Sequence, residues 1–231
     1  MLSVVIPCCN EAGSIGRFEA ELYPALDALG VSYEVLAVDD GSTDGTRAAL
    51  EALASRKPLK VLVHERNRGL GAALRTAFAA ASGEWIAALD ADLTFHPRHL
   101  AAMLAAQKET DADLVGGSPY LSAEGAAGVP WARRLPSLMM NAFYRGLFSH
   151  HFSSYTPMFR LYRRSALSEV VLESEGFEVS AEIAGRFVQR RKRLAEVPVA
   201  LTTRLQGVSK LNRSRELKRH AKLIWRLLTT R

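Results

Sequence analysis

Apolar and polar positions alternate in two rhythms along the first half of the chain. Short aliphatic and β-branched runs, Ser3–Pro7, Tyr33–Val38, Leu59–His64 and Trp85–Leu89, are each followed by a longer, Ala-rich stretch with apolar residues at helical spacing. The short runs predict strands. The long ones predict helices over Gly13–Leu29, Thr43–Ser55, Leu70–Ala81 and Pro97–Lys108, with a further strand near Asp113–Gly116. Near-continuous apolar strands that alternate with helices imply an α/β fold, a mostly parallel sheet covered on both faces. Ligands of such sheets bind beyond the carboxyl ends of the strands. Four polar clusters occupy those ends here: Asn10-Glu11, Asp39-Asp40-Gly41-Ser42, Asn67-Arg68-Gly69 and Asp90-Ala91-Asp92.

From about Pro119 the rhythm changes. A loop rich in Gly, Ala and Pro is expected over 118–136, then a helix over Ser137–Phe148 and a loop rich in His and Ser over 149–156. A strand near Met158–Tyr162, a helix near Val179–Arg191 and a strand over Leu194–Leu201 follow. The polar segment 202–212 leads into a last helix, Ser214–Leu228. With no internal repeat and no long linker, 231 residues read as a body of 1–212 and a C-terminal helix in 213–231.

Charge adds an asymmetry. Residues 1–185 hold 16 Lys and Arg against 22 Asp and Glu, whereas residues 186–231 hold 14 against two, so a basic tail follows a mildly acidic body. Such a tail seeks an anionic partner. In the last helix Leu217, Ala221, Ile224 and Leu228 form a stripe, opposite Arg215, Lys218, Arg219, Lys222 and Arg226, with Trp225 at the boundary. This pattern predicts a basic amphipathic helix on an anionic membrane surface, each near-surface cation adding about 1 kcal/mol. Nucleic acid is not expected, since no aromatic platforms interleave with the cations. No stretch reaches the roughly 18–20 uncharged apolar residues that span a bilayer. The N-terminal Met1–Pro7 reads as a strand rather than a secretory leader, and adjacent Cys8 and Cys9 form no ordinary disulfide framework. Together these lead to an expectation of a reducing, cytoplasmic setting at the inner face of the membrane.

Asp90 and Asp92 carry the sharpest chemistry. Two carboxylates on one side of an extended chain repel each other unless a divalent ion neutralises them. A cation held by only one or two carboxylates keeps positions open for substrate phosphates. Read alone, the same tripeptide also fits a solvated turn before the helix at Pro97.

The stretches VVIPCCNEAGSI (4–15), EVLAVDDGSTDGT (34–46), NRGLGAALRTAFAAASGEWIAALDADLTFHP (67–97) and EVPVALTTRLQGVSKLN (196–212) resemble, in this order, the family 2 glycosyltransferases. The last narrows the resemblance to the branch of polyprenyl-phosphate hexosyltransferases, which includes dolichyl-phosphate mannose synthase. The resemblance implies the GT-A fold, Rossmann-like with a mostly parallel sheet. It also implies transfer of a hexose from a nucleoside-diphosphate sugar to a polyprenyl phosphate, either dolichyl or undecaprenyl, with inversion and with Mg²⁺ or Mn²⁺.

Residue by residue, the resemblance sets Pro7, Asn10 and Glu11 under base and ribose and makes Asp39 an acceptor for base or ribose. Asp40 begins the turn that follows. Gly69 and Gly71 would let backbone approach the donor, and Arg68 would reach its phosphates. Asp92 becomes the principal metal ligand and Asp90 the carboxylate nearer ribose and sugar, both catalytic. Arg204 and Lys210 flank a loop that would close over the donor, with Arg204 brought to the phosphates. On position and charge alone, Arg133 and Arg134 before the expected helix are candidates to meet an anionic acceptor, with Ser209 of the Arg204–Lys210 loop beside them. The chain departs from the family pattern at Cys9, where an aromatic is frequent, and at Thr94, where an amide is. It departs again at Pro119 and across Ser154–Phe159.

Charge decides what the acceptor requires. A cation stabilises the diphosphate leaving group without proton transfer. A hydroxyl acceptor needs a base, for which Glu178 and Glu182 are the nearest candidates, whereas a phosphate is already an anionic nucleophile. Two alternatives remain: transfer to a sugar or lipid hydroxyl, and a non-catalytic nucleotide-sugar-binding module. A membrane-anchoring partner protein would serve in place of direct lipid contact.

Overall fold

The computed structural model describes residues 1–122, 125, 131–148, 151–201 and 213–229, and of residues 131–133, 213 and 214 the backbone alone. Seven strands form one sheet: β1 (Leu2–Cys8), β2 (Tyr33–Asp40), β3 (Leu59–His64), β4 (Trp85–Ala88), β5 (Leu114–Ser118), β6 (Arg160–Arg163) and β7 (Leu194–Pro198). Their spatial order is β3-β2-β1-β4-β6-β5-β7. The first four are parallel, with Cys8 beside Asp39 and Asp40 beside His64. Strand β6 runs antiparallel to both β4 and β5, so the sheet is mixed, though mostly parallel.

Chain order reverses between β1 and β4, since β2 and β3 add on one side of β1 and β4 on the other. A crevice opens where an α/β sheet reverses in this way. The segments that leave β1 and β4, carrying Asn10-Glu11 and Asp90–Asp92, flank it.

Strand residues alternate between two cores, as the pleat requires. Val4, Ile6, Val35, Ala37 and Leu89 face the first, beneath α1 (Ala12–Arg17), α2 (Tyr23–Asp27), α3 (Thr46–Ala54) and α5 (Leu100–Thr110). Val5, Leu36, Val38, Ile86, Ala88 and Tyr162 face the second. That face is covered by α4 (Leu70–Ala80), α6 (Trp131–Leu147), α7 (Arg164–Ser168), α8 (Val179–Gln189) and α9 (Arg213–Thr229). Ala73 and Ala77 are the contact residues of α4, small enough to bring that helix close to β1 and β2.

Two expectations change. Helix α6 starts at Trp131, six residues before the expected Ser137, and carries Pro136 inside it. Pro136 suggests the end of a loop, but Trp131-Ala132-Arg133-Arg134-Leu135 is a run of helix formers after Pro130, and the helix accommodates the ring. Arg133 and Arg134 therefore belong to its first turn. The second change concerns α9. Leu217 and Leu228 of the stripe stay outward, 64% and 54% exposed beside Trp225 at 72%, while Leu223 and Leu227 pack on the body. The change lies in the cations: Arg226 turns inward to Glu182, and Arg219 pairs with Glu216 on its own helix, instead of both joining an outward basic face.

Candidate active site

The loops that follow β1, β2 and β3 are stitched into one surface. Asn10 takes a left-handed backbone, φ 55°, and its amide donates to Ser42 Oγ at 2.9 Å. In return the Thr43 amide donates to Asn10 Oδ1 at 2.7 Å. The Glu11 amide donates to Thr46 Oγ1 at 2.7 Å, and Asp44 accepts the Thr46 amide at 2.9 Å. Ser42, Thr43 and Thr46 thus act as loop and helix-start partners, the ordinary work of short hydroxyl side chains.

Asp39 and Asp40 are both buried. Asp39 Oδ1 accepts the Ser42 amide at 3.1 Å, which closes the turn at Gly41. Asp40 reaches across to the segment after β3, taking the Arg68 amide at 2.9 Å on Oδ1 and the Gly69 amide at 2.8 Å on Oδ2. His64 Nδ1 lies 2.6 Å from the same Oδ1, and its Nε2 lies 2.9 Å from Thr76 Oγ1. With the proton on Nδ1, the imidazole donates to Asp40 and accepts from Thr76. So Asp40, expected among the donor contacts, holds the glycine turn after β3 in shape. His64 and Thr76 went unnoticed in the sequence, because a histidine ending a strand and a threonine inside a helix carry no motif.

Gly69 has φ 92°, a conformation costly for any side chain, and a Cβ there would strike the Glu175 carbonyl. Gly71 meets the Ser174 carbonyl as closely. Cys9 accepts a hydrogen bond from Asn67 Nδ2 at 3.0 Å. Its neighbour Cys8 is buried, and burial, then Glu11 and Asp39, push its thiol pKa well up, so it stays protonated.

After β4 the chain turns through Asp90–Leu93, with the Leu93 amide donating to Asp90 O at 3.0 Å and Leu93 at φ 46°. Asp92 Oδ1 accepts both the Thr94 amide at 3.0 Å and the Thr94 hydroxyl at 2.6 Å. The backbone carbonyl of Asp92 accepts from Arg17 Nη1 on α1. Arg17 is itself held by Glu21 at 2.7 Å, and that contact keeps the Glu21 carboxyl below its ordinary range against opposing burial. Asp92 is therefore fixed at both backbone and side chain.

Hard oxygen donors two residues apart at a strand end suit a hard divalent cation. Among the described residues no group of three or more His, Cys, Asp or Glu could hold a metal. A cation at Asp90 and Asp92 would thus need oxygens from a ligand, which is how Mg²⁺ and Mn²⁺ sites that bind phosphates are built.

Between the end of β5 and α6, Tyr120 Oη donates to Ser137 Oγ at 2.9 Å, Ser137 Oγ lies 2.8 Å from Thr156 Oγ1, and the Thr156 amide donates to Asn141 Oδ1 at 3.0 Å. The two segments that depart from the family pattern meet in this hydroxyl network. Arg134 is half-buried on α6. Arg204, Ser209 and Lys210 lie outside the described residues.

Glu182 is fully buried and accepts from the Glu173 and Ser174 amides, Arg186 and Arg226. Glu178 is buried too, with Oε1 taking the Gly176 amide at 3.2 Å. Glu178 is among the residues that line a cleft of about 210 Å³ against α9.

Residues 3–171 match the family described as Glycosyl transferase family 2. Among curated proteins, the chain is 31% identical over 224 residues to polyprenol monophosphomannose synthase of Mycolicibacterium smegmatis, covering 91% of this chain and 81% of that one. It is 30% identical over 213 residues to undecaprenyl-phosphate 4-deoxy-4-formamido-L-arabinose transferase of Aeromonas hydrophila, again over 91% of this chain but 62% of the relative. In fold it is similar to glucosyl-3-phosphoglycerate synthase of Mycobacterium tuberculosis, solved with Mn²⁺, uridine diphosphate and glucosyl-3-phosphoglycerate. The TM-score is 0.67 at 21% identity, over 99% of this chain and 78% of the other.

Proposed function

Because the chain belongs to glycosyl transferase family 2 and is a glycosyltransferase of GT-A-like fold, we propose that it transfers a hexose from a nucleoside-diphosphate sugar to a polyprenyl phosphate, with inversion. One observation carries the choice of acceptor: Glu182, a base candidate, has its carboxylate occupied by two amides and two arginines. A phosphate acceptor needs no base. Both curated relatives bear polyprenol or undecaprenyl phosphate in their names, which supports the same reading.

The bond between the sugar's anomeric carbon and the donor diphosphate breaks. A bond to an acceptor phosphate oxygen forms on the opposite face, the nucleoside diphosphate leaves, and no proton moves. Asp39 receives base or ribose, and the Arg68–Gly71 turn, shaped by Asp40, brings backbone amides and a helix start to the diphosphate. A divalent cation on Asp92 and Asp90, when bound, neutralises the charge that develops on the leaving group. Thr94 and Arg17 hold Asp92 in place before the donor arrives, so little reorganisation is needed at the moment of transfer.

A lipid-borne acceptor requires the enzyme at a membrane surface. No helix among the described residues is long and apolar enough to cross one. The outward ridge of α9, Leu217, Trp225 and Leu228, is edged by the exposed cations Arg215, Lys218 and Lys222. Exposed Leu135, Met139 and Phe143 recur every four residues on α6. Tyr144 on α6 and His220 on α9 hydrogen-bond at 2.7 Å, which holds the two helices together. An apolar ridge with a cationic border fits the inner face of an anionic bilayer. A membrane-anchored partner protein would occupy the same ridge.

Incubation with labelled nucleotide sugars, Mn²⁺ and a short-chain polyprenyl phosphate is expected to yield a lipid-linked sugar. Transfer to hydroxyl acceptors alone, with none to the phosphate, would overturn the proposal.

A further inference from the structure

We propose that the C-terminal helix belongs to the donor site, acting through Arg226 and Glu182 as positioning residues for the glycine turn. The inference rests on the reading of Gly69–Gly71 as donor-binding. It begins from the odd placement of Glu182, a carboxylate with no exposed surface. A buried charge persists only when its surroundings compensate it. Compensation here comes from three elements. Residues 173–176, a strap ahead of α8, supply the Ser174 amide at 2.8 Å and the Glu173 amide at 3.2 Å. Helix α8 supplies Arg186 at 3.1 Å, and α9 supplies Arg226 at 2.8 Å.

Arg226 also donates to Ser174 Oγ at 2.9 Å, so one guanidinium grips both the strap and the carboxylate beneath it. The strap in turn lies on the donor turn. Gly71 donates its amide to the Glu175 carbonyl at 2.8 Å, and Arg75 on α4 donates to the Ser174 carbonyl at 2.6 Å. Neither Gly69 nor Gly71 has room for a Cβ beneath these carbonyls. The turn is thus pinched between Asp40 on one side and the strap on the other. The strap's place is set by a side chain 52 positions further along the chain, on the helix whose outer ridge faces away from the body. No residue of α9 need touch the donor. A cleft of about 210 Å³ separates strap and helix beside these contacts, lined in part by Glu175, Glu178 and Lys222. Polar grips rather than continuous apolar packing therefore join the two there.

The test uses the full chain and reads donor affinity, kinetics and local amide exchange. Arg226→Met is expected to weaken Mn²⁺-dependent binding of uridine or guanosine diphosphate by about tenfold, a usual size for coupling between sites. Donor KM should rise by a similar factor while kcat at saturating donor holds, and exchange should quicken in peptides spanning Gly69–Leu74 but not in β1. Arg226→Lys should recover part of each effect. Ser174→Ala, a milder change that leaves Glu182 paired, should shift the same readouts in the same direction. A folded Arg226→Met protein with wild-type nucleotide affinity and wild-type exchange at Gly71 would overturn the inference. So would a fall in kcat with donor KM unchanged. A wild-type chain that binds neither nucleotide would instead overturn the donor reading, with the exchange at Gly71 still reporting whether α9 holds the turn.

Discussion

Asp40 Oδ2 accepts the Gly69 amide at 2.8 Å, so the end of β2 holds the turn that follows β3. Asp40→Asn would turn an NH₂ group toward backbone or histidine donors in a buried setting. A stability loss of about 1–3 kcal/mol is expected, the cost of an unsatisfied buried group. Urea unfolding measures it, and nucleotide diphosphate titration should show weaker binding in parallel.

Gly69→Ala adds strain to a clash. A left-handed backbone costs a side chain roughly 1–2 kcal/mol, and the new Cβ also meets the Glu175 carbonyl. The melting temperature should fall by several degrees in a thermal scan, with donor affinity lost beyond what the stability change predicts. Gly30→Ala, also at positive φ but with open space around its Cβ, provides the control: strain without contact with the donor turn.

The Thr94 hydroxyl donates to Asp92, the carboxylate proposed as the principal metal ligand. Thr94→Val is expected to weaken Mn²⁺ binding in the presence of nucleotide diphosphate by about tenfold, as loss of a partner behind a ligand does. Thr94→Ser should retain it, and Asp92→Asn should remove metal-dependent nucleotide binding. Calorimetric titration with and without Mn²⁺ distinguishes the three.

Trp225 is 72% exposed on the α9 ridge, so Trp225→Ser should leave thermal stability near wild type. Co-sedimentation with anionic vesicles should drop about tenfold or more, because burying one large apolar side chain is worth about 1.5–3 kcal/mol. Retained vesicle binding would remove α9 from the membrane face.

Acid should loosen the fold before carboxylates titrate. Burial holds the His220 pKa below its ordinary value, with the Glu178 carboxylate pulling weakly the other way, and His96 and His99 are lowered by burial as well. The unfolded chain then takes up protons more readily, so stability is complete above about pH 6.5 and falls as pH drops below it. Glu21, held down by Arg17, adds a loss of the same sign at lower pH. Melting temperatures from pH 8 to 5 should trace this decline. His220→Gln, which preserves an acceptor for the Tyr144 hydroxyl, should flatten its upper part.

Much of this was legible in the chain itself. The four parallel strands and their polar ends follow from apolar runs of strand length and helical periodicity, both local signals. The place of Asp90 and Asp92 just beyond β4 was legible from the apolar run that precedes them. Less legible was the start of α6, where Pro136 masked a run of helix formers. Asp40 and Glu182 stand out in the sequence, but the partners that hold them do not, because those lie 24 to 29 and up to 44 positions away.

The orientation of α9 separates the two kinds of information. Its periodicity alone established an amphipathic helix with one apolar stripe and abundant cations. Periodicity is a property of the helix by itself and says nothing about which side meets the body. Tertiary packing chose Leu223 and Leu227 for the core and drew Arg226 inward to Glu182, because a buried carboxylate demands a cation. That choice left Leu217, Trp225 and Leu228 facing out. The polar strand ends were written in local sequence; the link from Arg226 through the strap to Gly71 exists only once distant charges are brought together and desolvated.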